Sequence, residues 1–250
     1  MYLSVVIPCY NEERNLRLGA LEKVASYLSR QKYSWEVVLV DDGSTDESQK
    51  LIKKFIEGKK RFRLLRKKHQ GKAAAVTSGV LSALADIILF SDLDQATPLS
   101  EVEKILPYFD RGYQVVIGSR NNRRQGAPFF RLAMAKGFMF LRNMILDLGI
   151  KDTQCGFKAF QRYAALSIFP KLKVFNLKRD ALGSTVTAGF DIEVLYIAKL
   201  IGFKITEVPV EWHYQETRNV SPIKDSLESL LDLIRIRIKS LRGQYNKAIL

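Results

Sequence analysis

Two aspartates spaced i, i+2, Asp92 and Asp94, follow directly on the apolar run Ile87-Ile88-Leu89-Phe90. Where a chain turns out of a buried strand, both carboxylates can reach one ion. Oxygen donors suit a hard cation, Mg²⁺ or Mn²⁺, which keeps waters and also takes diphosphate oxygens. A lone Asp-x-Asp is more often a solvated acidic turn; its place beside other acidic strand ends is what favours a site. A second such end is Asp41-Asp42-Gly43-Ser44-Thr45-Asp46, after Val37-Val38-Leu39-Val40. A carboxylate here can accept hydrogen bonds from a base N–H or from ribose hydroxyls. Turn and capping chemistry accounts for Ser44 and Asp46, but Asp41 and Asp42 repel each other unless something compensates. A third segment, His69-Gln70-Gly71-Lys72, precedes an alanine-rich stretch. It lacks the second glycine and the Lys-Ser/Thr pair of a Walker loop. Lys72, at a helix N-terminus, can still help neutralise a diphosphate.

These residues need a scaffold that brings strand ends together. Leu3-Ser4-Val5-Val6-Ile7-Pro8 is nearly continuously apolar, as are residues 37–40, 87–90 and 115–117. Such runs fit strands buried on both faces. Helical patterns are predicted between them, at about 11–31, 45–57, 72–85 and 99–110. Alternating β and α implies an α/β fold, with a mainly parallel sheet flanked by helices. Ligands of such sheets bind outside the carboxyl ends of the strands. Pro8 to Glu12, Asp41 to Ser44, Ser91 to Asp94 and Gly118-Ser119-Arg120 all fall there. Residues 121–126 read as a mobile basic loop.

The chain has 250 residues and a formal charge of +14, from 40 Lys and Arg against 26 Asp and Glu. That balance favours an anionic partner. Nucleic acid is not expected, because the basic residues are scattered and acidic clusters hold the strand ends. Two cysteines, Cys9 and Cys155, and two histidines, His69 and His213, have no zinc-site or disulfide spacing, so a reducing compartment is expected. No basic n-region with an apolar h-region opens the chain. No uncharged apolar run approaches the roughly 18–20 residues that span a bilayer. Membrane contact is therefore expected to be peripheral and cytoplasmic-face.

Val5 to Glu13, Val38 to Ser44 and Asp92-Leu93-Asp94, in that order and spacing, resemble family 2 glycosyltransferases of GT-A (Rossmann-like) fold. Asp152-Thr153-Gln154-Cys155-Gly156-Phe157-Lys158 and Gly189-Phe190-Asp191-Ile192-Glu193 resemble the branch that acts on dolichyl or polyprenyl phosphate. Val220 to Ser226 resembles its β-glucosyl-transferring members. The resemblance implies roles for residues. Pro8, Tyr10, Glu12 and Asp41, with Asp42, Lys72, Asp92, Leu93 and Gln154, would bind the nucleotide-sugar. Asp92 and Asp94 would hold Mg²⁺ or Mn²⁺. Arg120 and Arg131 would bind phosphate groups, and Asp152 would lie close to sugar and acceptor. Where many relatives have a metal-binding Gln, this chain has Ala96.

The resemblance also implies an inverting transfer of glucose from UDP-glucose to a polyprenyl phosphate. GDP-mannose as donor, or a non-lipid acceptor, remains open. A phosphate with a second pKa of about 6 is largely ionised at neutral pH, so it attacks without a strong base. Residues 1–125 are expected to form the donor half and 126–215 the acceptor half of one domain. Residues 216–250 are expected to be an amphipathic membrane-associating tail. Within it, Leu227, Leu230, Leu231, Ile234, Ile238 and Leu241 form one helical stripe beside Arg235, Lys239 and Arg242, suited to an anionic membrane. Phe129 to Leu146 is a second candidate for lipid contact, through Phe130, Met134, Phe138, Leu141 and Ile145.

Overall fold

A computed structural model describes residues 1–120, 129–175, 188–213 and 222–245, with the side chains of 129–136, 188 and 222–227 left out. In chain order the elements are β1 (Leu3–Cys9), α1 (Glu13–Arg17), α2 (Ala20–Ser29), β2 (Trp35–Asp41), α3 (Ser48–Ile56), β3 (Phe62–Arg66), α4 (Lys72–Ser82) and β4 (Ile87–Ser91). A short 3-10 turn, Leu99–Glu101, leads into α5 (Val102–Ile105) and α6 (Pro107–Asp110). Then come β5 (Val115–Arg120), α7 (Phe129–Leu146), β6 (Phe157–Gln161), α8 (Arg162–Ile168), α9 (Ala188–Ile201), β7 (Ile205–Val210) and α10 (Pro222–Leu241).

The described strands make one sheet in the order β3-β2-β1-β4-β6-β5-β7. β6 runs antiparallel to both neighbours, and the other pairings are parallel. Side chains alternate between two cores, as the period of a strand requires. Val6, Val38, Val40, Ile88, Phe90 and Ile117 face one core, with α4, α8, α9 and α10. Val5, Ile7, Val37, Leu39, Leu89 and Val116 face the other, with α1, α2, α3 and α5. Helices thus cover both faces, as the apolar runs imply.

The elements depart from the sequence pattern in several places. The helix expected at 11–31 is two, because the chain turns at Gly19, whose φ is 77°. The helix expected from 45 begins at Ser48. The one expected at 99–110 is three short pieces, re-entered at Pro107, whose ring lacks the amide that would continue the ladder. The C-terminal helix α10 is tied to the rest of the fold. It packs on α7 and α9, and Leu233 and Ile236 are fully buried. The basic loop expected at 121–126 lies outside the described residues.

Candidate active site

β1 lies between β2 and β4, in register Cys9↔Asp41 on one side and Val6↔Phe90 on the other. The three acidic strand ends therefore open on one edge. At a strand spacing of roughly 4.8 Å, the ends of β2 and β4 are two strand widths apart, within the length of a nucleoside diphosphate.

The first two loops knit together through side chains that capture amides. The Asn11 and Glu12 amides donate to the hydroxyls of Ser44 and Ser48, at 3.0 and 2.7 Å. The Asn11 carboxamide in return accepts the Thr45 amide at 2.8 Å. The two adjacent aspartates avoid repulsion by turning to different partners. Asp41, almost fully buried, accepts from the Ser44 amide (3.0 Å) and Gln49 Nε2 (2.9 Å). Asp42, equally buried, accepts from the Gln70 and Gly71 amides at 2.9 and 2.8 Å and from the His69 ring at 2.9 Å. Asp42 is thereby an anchor for the 69–71 loop. Pro8, Tyr10 and Glu12 are partly exposed along this edge.

That anchored loop delivers Lys72, the first residue of α4, to the third strand end. Its ammonium lies 2.5 Å from Asp92 Oδ1. The β2 end is so tied to the β4 end in two steps, Asp42 to Gly71 and Lys72 to Asp92. Gly156 makes room for this arrangement: a Cβ there would sit 2.1 Å from Asp92 Oδ2. Leu93 turns inward and is buried in the core, so it supports the turn with its side chain and has only backbone to offer a ligand. Asp94 Oδ1 accepts the Ala96 amide at 3.0 Å.

Asp94 also lines a cavity of about 600 Å³ with Lys23, Arg30, Gln95, Ser100 and His213. The backbone holds His213 beside the turn, its amide donating to the Ala96 carbonyl at 2.7 Å. Sequence spacing had given His213 no role; its position three residues after β7 brings it beside the Asp94 turn. A carboxylate and an imidazole on one cavity fit a divalent cation. Among the described residues no three His, Cys, Asp or Glu side chains already form a metal cage. Water and diphosphate oxygens would therefore have to complete the coordination.

On the other side, Asp152 grips Arg120. Its carboxylate accepts from Arg120 Nε and Nη2 at 2.8 Å each and from the Arg120 amide at 2.9 Å. Burial pushes the Asp152 pKa up, but the Arg120 hydrogen bonds and charge outweigh it and hold the carboxyl below its ordinary value. The loop carrying Asp152 is clamped twice. Glu207 accepts the Lys151 and Asp152 amides at 2.8 Å each, and Arg142, buried in α7, donates to the Thr153 hydroxyl at 2.8 Å and to the Ile150 carbonyl. Gln154 is exposed at its tip. The Arg131 side chain lies outside those described.

The later motifs are largely supports. Lys158 is fully buried and pairs with Asp191 at 2.7 Å. Glu193 accepts three consecutive amides, Lys173 to Phe175, and the Tyr245 hydroxyl. Cys9 and Cys155 are buried free thiols, their pKa values raised by that burial. Val220 and Ser221 lie outside the described residues.

An α/β sheet whose carboxyl edge gathers acidic turns, a lysine at a helix start and an Arg–Asp clamp defines a nucleotide-dependent group transferase of Rossmann-like build. Residues 4–169 match glycosyl transferase family 2, and the chain belongs to that family. It is 35% identical to the dolichyl-phosphate β-glucosyltransferase of Homo sapiens, covering 97% of this chain and 77% of the relative. The Dictyostelium discoideum enzyme of that name is 34% identical, over 97% and 76%. The glucosyl-3-phosphoglycerate synthase of Mycobacterium tuberculosis, solved with Mn²⁺, UDP and glucosyl-3-phosphoglycerate, shares the fold. Its TM-score is 0.65 at 18% identity, over 94% of this chain and 79% of that one. S. aureus TarS 1-349 in complex with UDP-GlcNAc matches at TM-score 0.55 and 19% identity, over 96% and 67%.

Proposed function

We propose that this chain transfers glucose from UDP-glucose to a polyprenyl phosphate of the dolichyl class, inverting the anomeric centre. The observation that carries the reading is the Asp42–Gly71-Lys72–Asp92 tie, which joins two strand ends around the place a diphosphate would occupy. The names of the full-length relatives supply the sugar and acceptor. Asp41 and Tyr10 flank the nucleoside end. Lys72 lies where it would offset charge on the departing diphosphate. Asp94 and His213 would hold Mg²⁺ or Mn²⁺, with Asp92 joining if its pair with Lys72 opens. The cation, when bound, would lower the charge on the leaving group. The ionised acceptor phosphate needs no base, so the protein's task is to place it in line with the sugar C1. Arg120, oriented by Asp152, is suited to hold that phosphate.

The acceptor's lipid tail calls for an apolar surface, and α7 and α10 offer one. Exposed Phe140, Leu141 and Met144 lie on α7, and exposed Leu231, Ile234, Ile238 and Leu241 on α10, which packs against it. At 100° per residue the α10 stripe is opposite the buried Leu233 and Ile236, and exposed Arg235, Arg237 and Arg242 border it. No described helix is long and apolar enough to cross a membrane. This face instead suits peripheral docking on anionic lipid, where each basic residue adds about 1 kcal/mol.

Purified protein incubated with UDP-[¹⁴C]glucose, Mn²⁺ and dolichyl phosphate should yield an organic-soluble labelled product of β configuration. Label that stays in water, or label transferred only from GDP-mannose, would overturn the assignment. With anionic liposomes the protein should float, and an Ile234→Asp, Ile238→Asp pair should not.

A further inference from the structure

The 69–71 loop holds a histidine whose hydrogen-bonding is fixed on one side only. His69 Nδ1 lies 2.9 Å from Asp42 Oδ2 and 3.2 Å from the Asp42 carbonyl. Both are acceptors, so Nδ1 carries the hydrogen, and in the neutral ring Nε2 carries the lone pair. Nε2 is buried, and among the described residues no group donates to it. An acceptor buried without a donor is uncommon and calls for a ligand or an ordered water. The ring also stacks on Tyr10, centroids 3.8 Å apart and planes 13° from parallel. Tyr10 follows β1 and His69 follows β3, so the stack stands on the edge where Asp41 closes β2.

The position of the imidazole is built in. Gly43 has φ 75°, and a Cβ there would come within 2.8 Å of the His69 amide nitrogen. Only glycine lets the 42–43 turn lie this close under the loop. Asp41, by contrast, is 1% exposed and already holds Ser44 and Gln49, so its carboxylate offers a base little open surface.

We infer that His69 reads the nucleobase. A pyrimidine that enters beside Tyr10 in the plane of the His69 ring presents the N–H of uracil N3 edge-on, and His69 Nε2 accepts it. Asp42, through Nδ1, sets the tautomer that makes this possible and acts as a positioning residue. The inference rests on the UDP reading of the donor site and adds the group that selects the base.

The test compares UDP with N3-methyl-UDP, in which a methyl replaces that hydrogen, by calorimetry in Mn²⁺. The parent protein should bind UDP at least about tenfold more tightly, since a site built to hydrogen-bond a group rejects the analogue lacking it. His69→Phe keeps the stack but removes the lone pair, and it should bind both nucleotides weakly and alike. If H69F folds poorly, H69A is read by the same ratio, which does not depend on the amount folded. A parent that discriminates while both variants discriminate equally overturns the role of His69 and leaves the donor reading standing. A parent that binds GDP and not UDP overturns the donor reading and this inference with it.

Discussion

The carboxyl edge at β1 and β2 and the half of the sheet built on β5, β6 and β7 are held together in different ways. At the ends of β1 and β2, Asp41, Asp42 and Asn11 capture backbone amides of neighbouring loops. In the half built on β5, β6 and β7, buried and part-buried charges hold each other or clamp backbone, as in Lys158–Asp191, Arg120–Asp152 and Glu207 under residues 151–152. Amide capture shapes loops around a ligand while the hydrophobic sheet carries stability. Buried ion pairs make stability itself depend on each partner, because a lone buried charge is costly. Substitutions should therefore harm folding more in the half built on β5, β6 and β7, and chemistry more at the edge where β1, β2 and β4 end.

The largest effect should come from Asp191→Ala, which strands the fully buried Lys158 ammonium. A loss of about 3–5 kcal/mol in urea unfolding is expected. A loss below about 1 kcal/mol would dissolve the contrast, since that is the scale of an exposed pair. Next, Asp94→Ala should lower transfer at least about a hundredfold with little change in melting temperature, in keeping with single electrostatic groups at reacting centres. Gly156→Ala probes where the halves meet. Its new methyl must displace the Asp92 carboxylate, and a fall of about tenfold in kcat/KM for the donor is expected from the misplaced turn. Unchanged kinetics would mean that the place of Asp92 does not matter.

The smallest effect is a pH dependence. The folded-state pKa of Asp152 lies below its unfolded value because Arg120 outweighs the burial. Its contribution to stability is thus present above the ordinary carboxylate range and lost as pH falls through the folded value. Urea midpoints should decline below about pH 4, less steeply in Asp152→Asn than in the parent. Parallel profiles would show that the pair adds nothing.

The same contrast decides what the sequence could reveal. The strands of the donor edge are buried on both faces, so Val5-Val6-Ile7 and Val37 to Val40 stand out as apolar runs, and the acidic turns follow without a gap. β6 hides because Lys158 interrupts Phe157–Gln161, and only the fold shows that this lysine is buried against Asp191. β3, with Arg63 and Arg66, and β7, with Pro209, are edge strands whose polar residues break the pattern. His69 and His213 could be weighed only as metal-site spacing. Their partners, Asp42 and the Asp94 turn, lie 27 and more than a hundred residues away. Arg142 interrupts an apolar helical run, yet it turns inward to the 150–153 loop while Phe140 and Met144 face out. Periodicity gives faces of a helix, but which face meets protein is a tertiary fact.

The donor edge carries the account, and titrating UDP into the protein with and without Mn²⁺ tests it most directly. Binding should be measurable and strengthened by Mn²⁺ in the parent, and that strengthening should vanish in Asp94→Ala while the melting temperature holds. UDP binding that is indifferent to the cation, or equally strengthened by it in the variant, would contradict an edge built to bind a cation-bridged diphosphate.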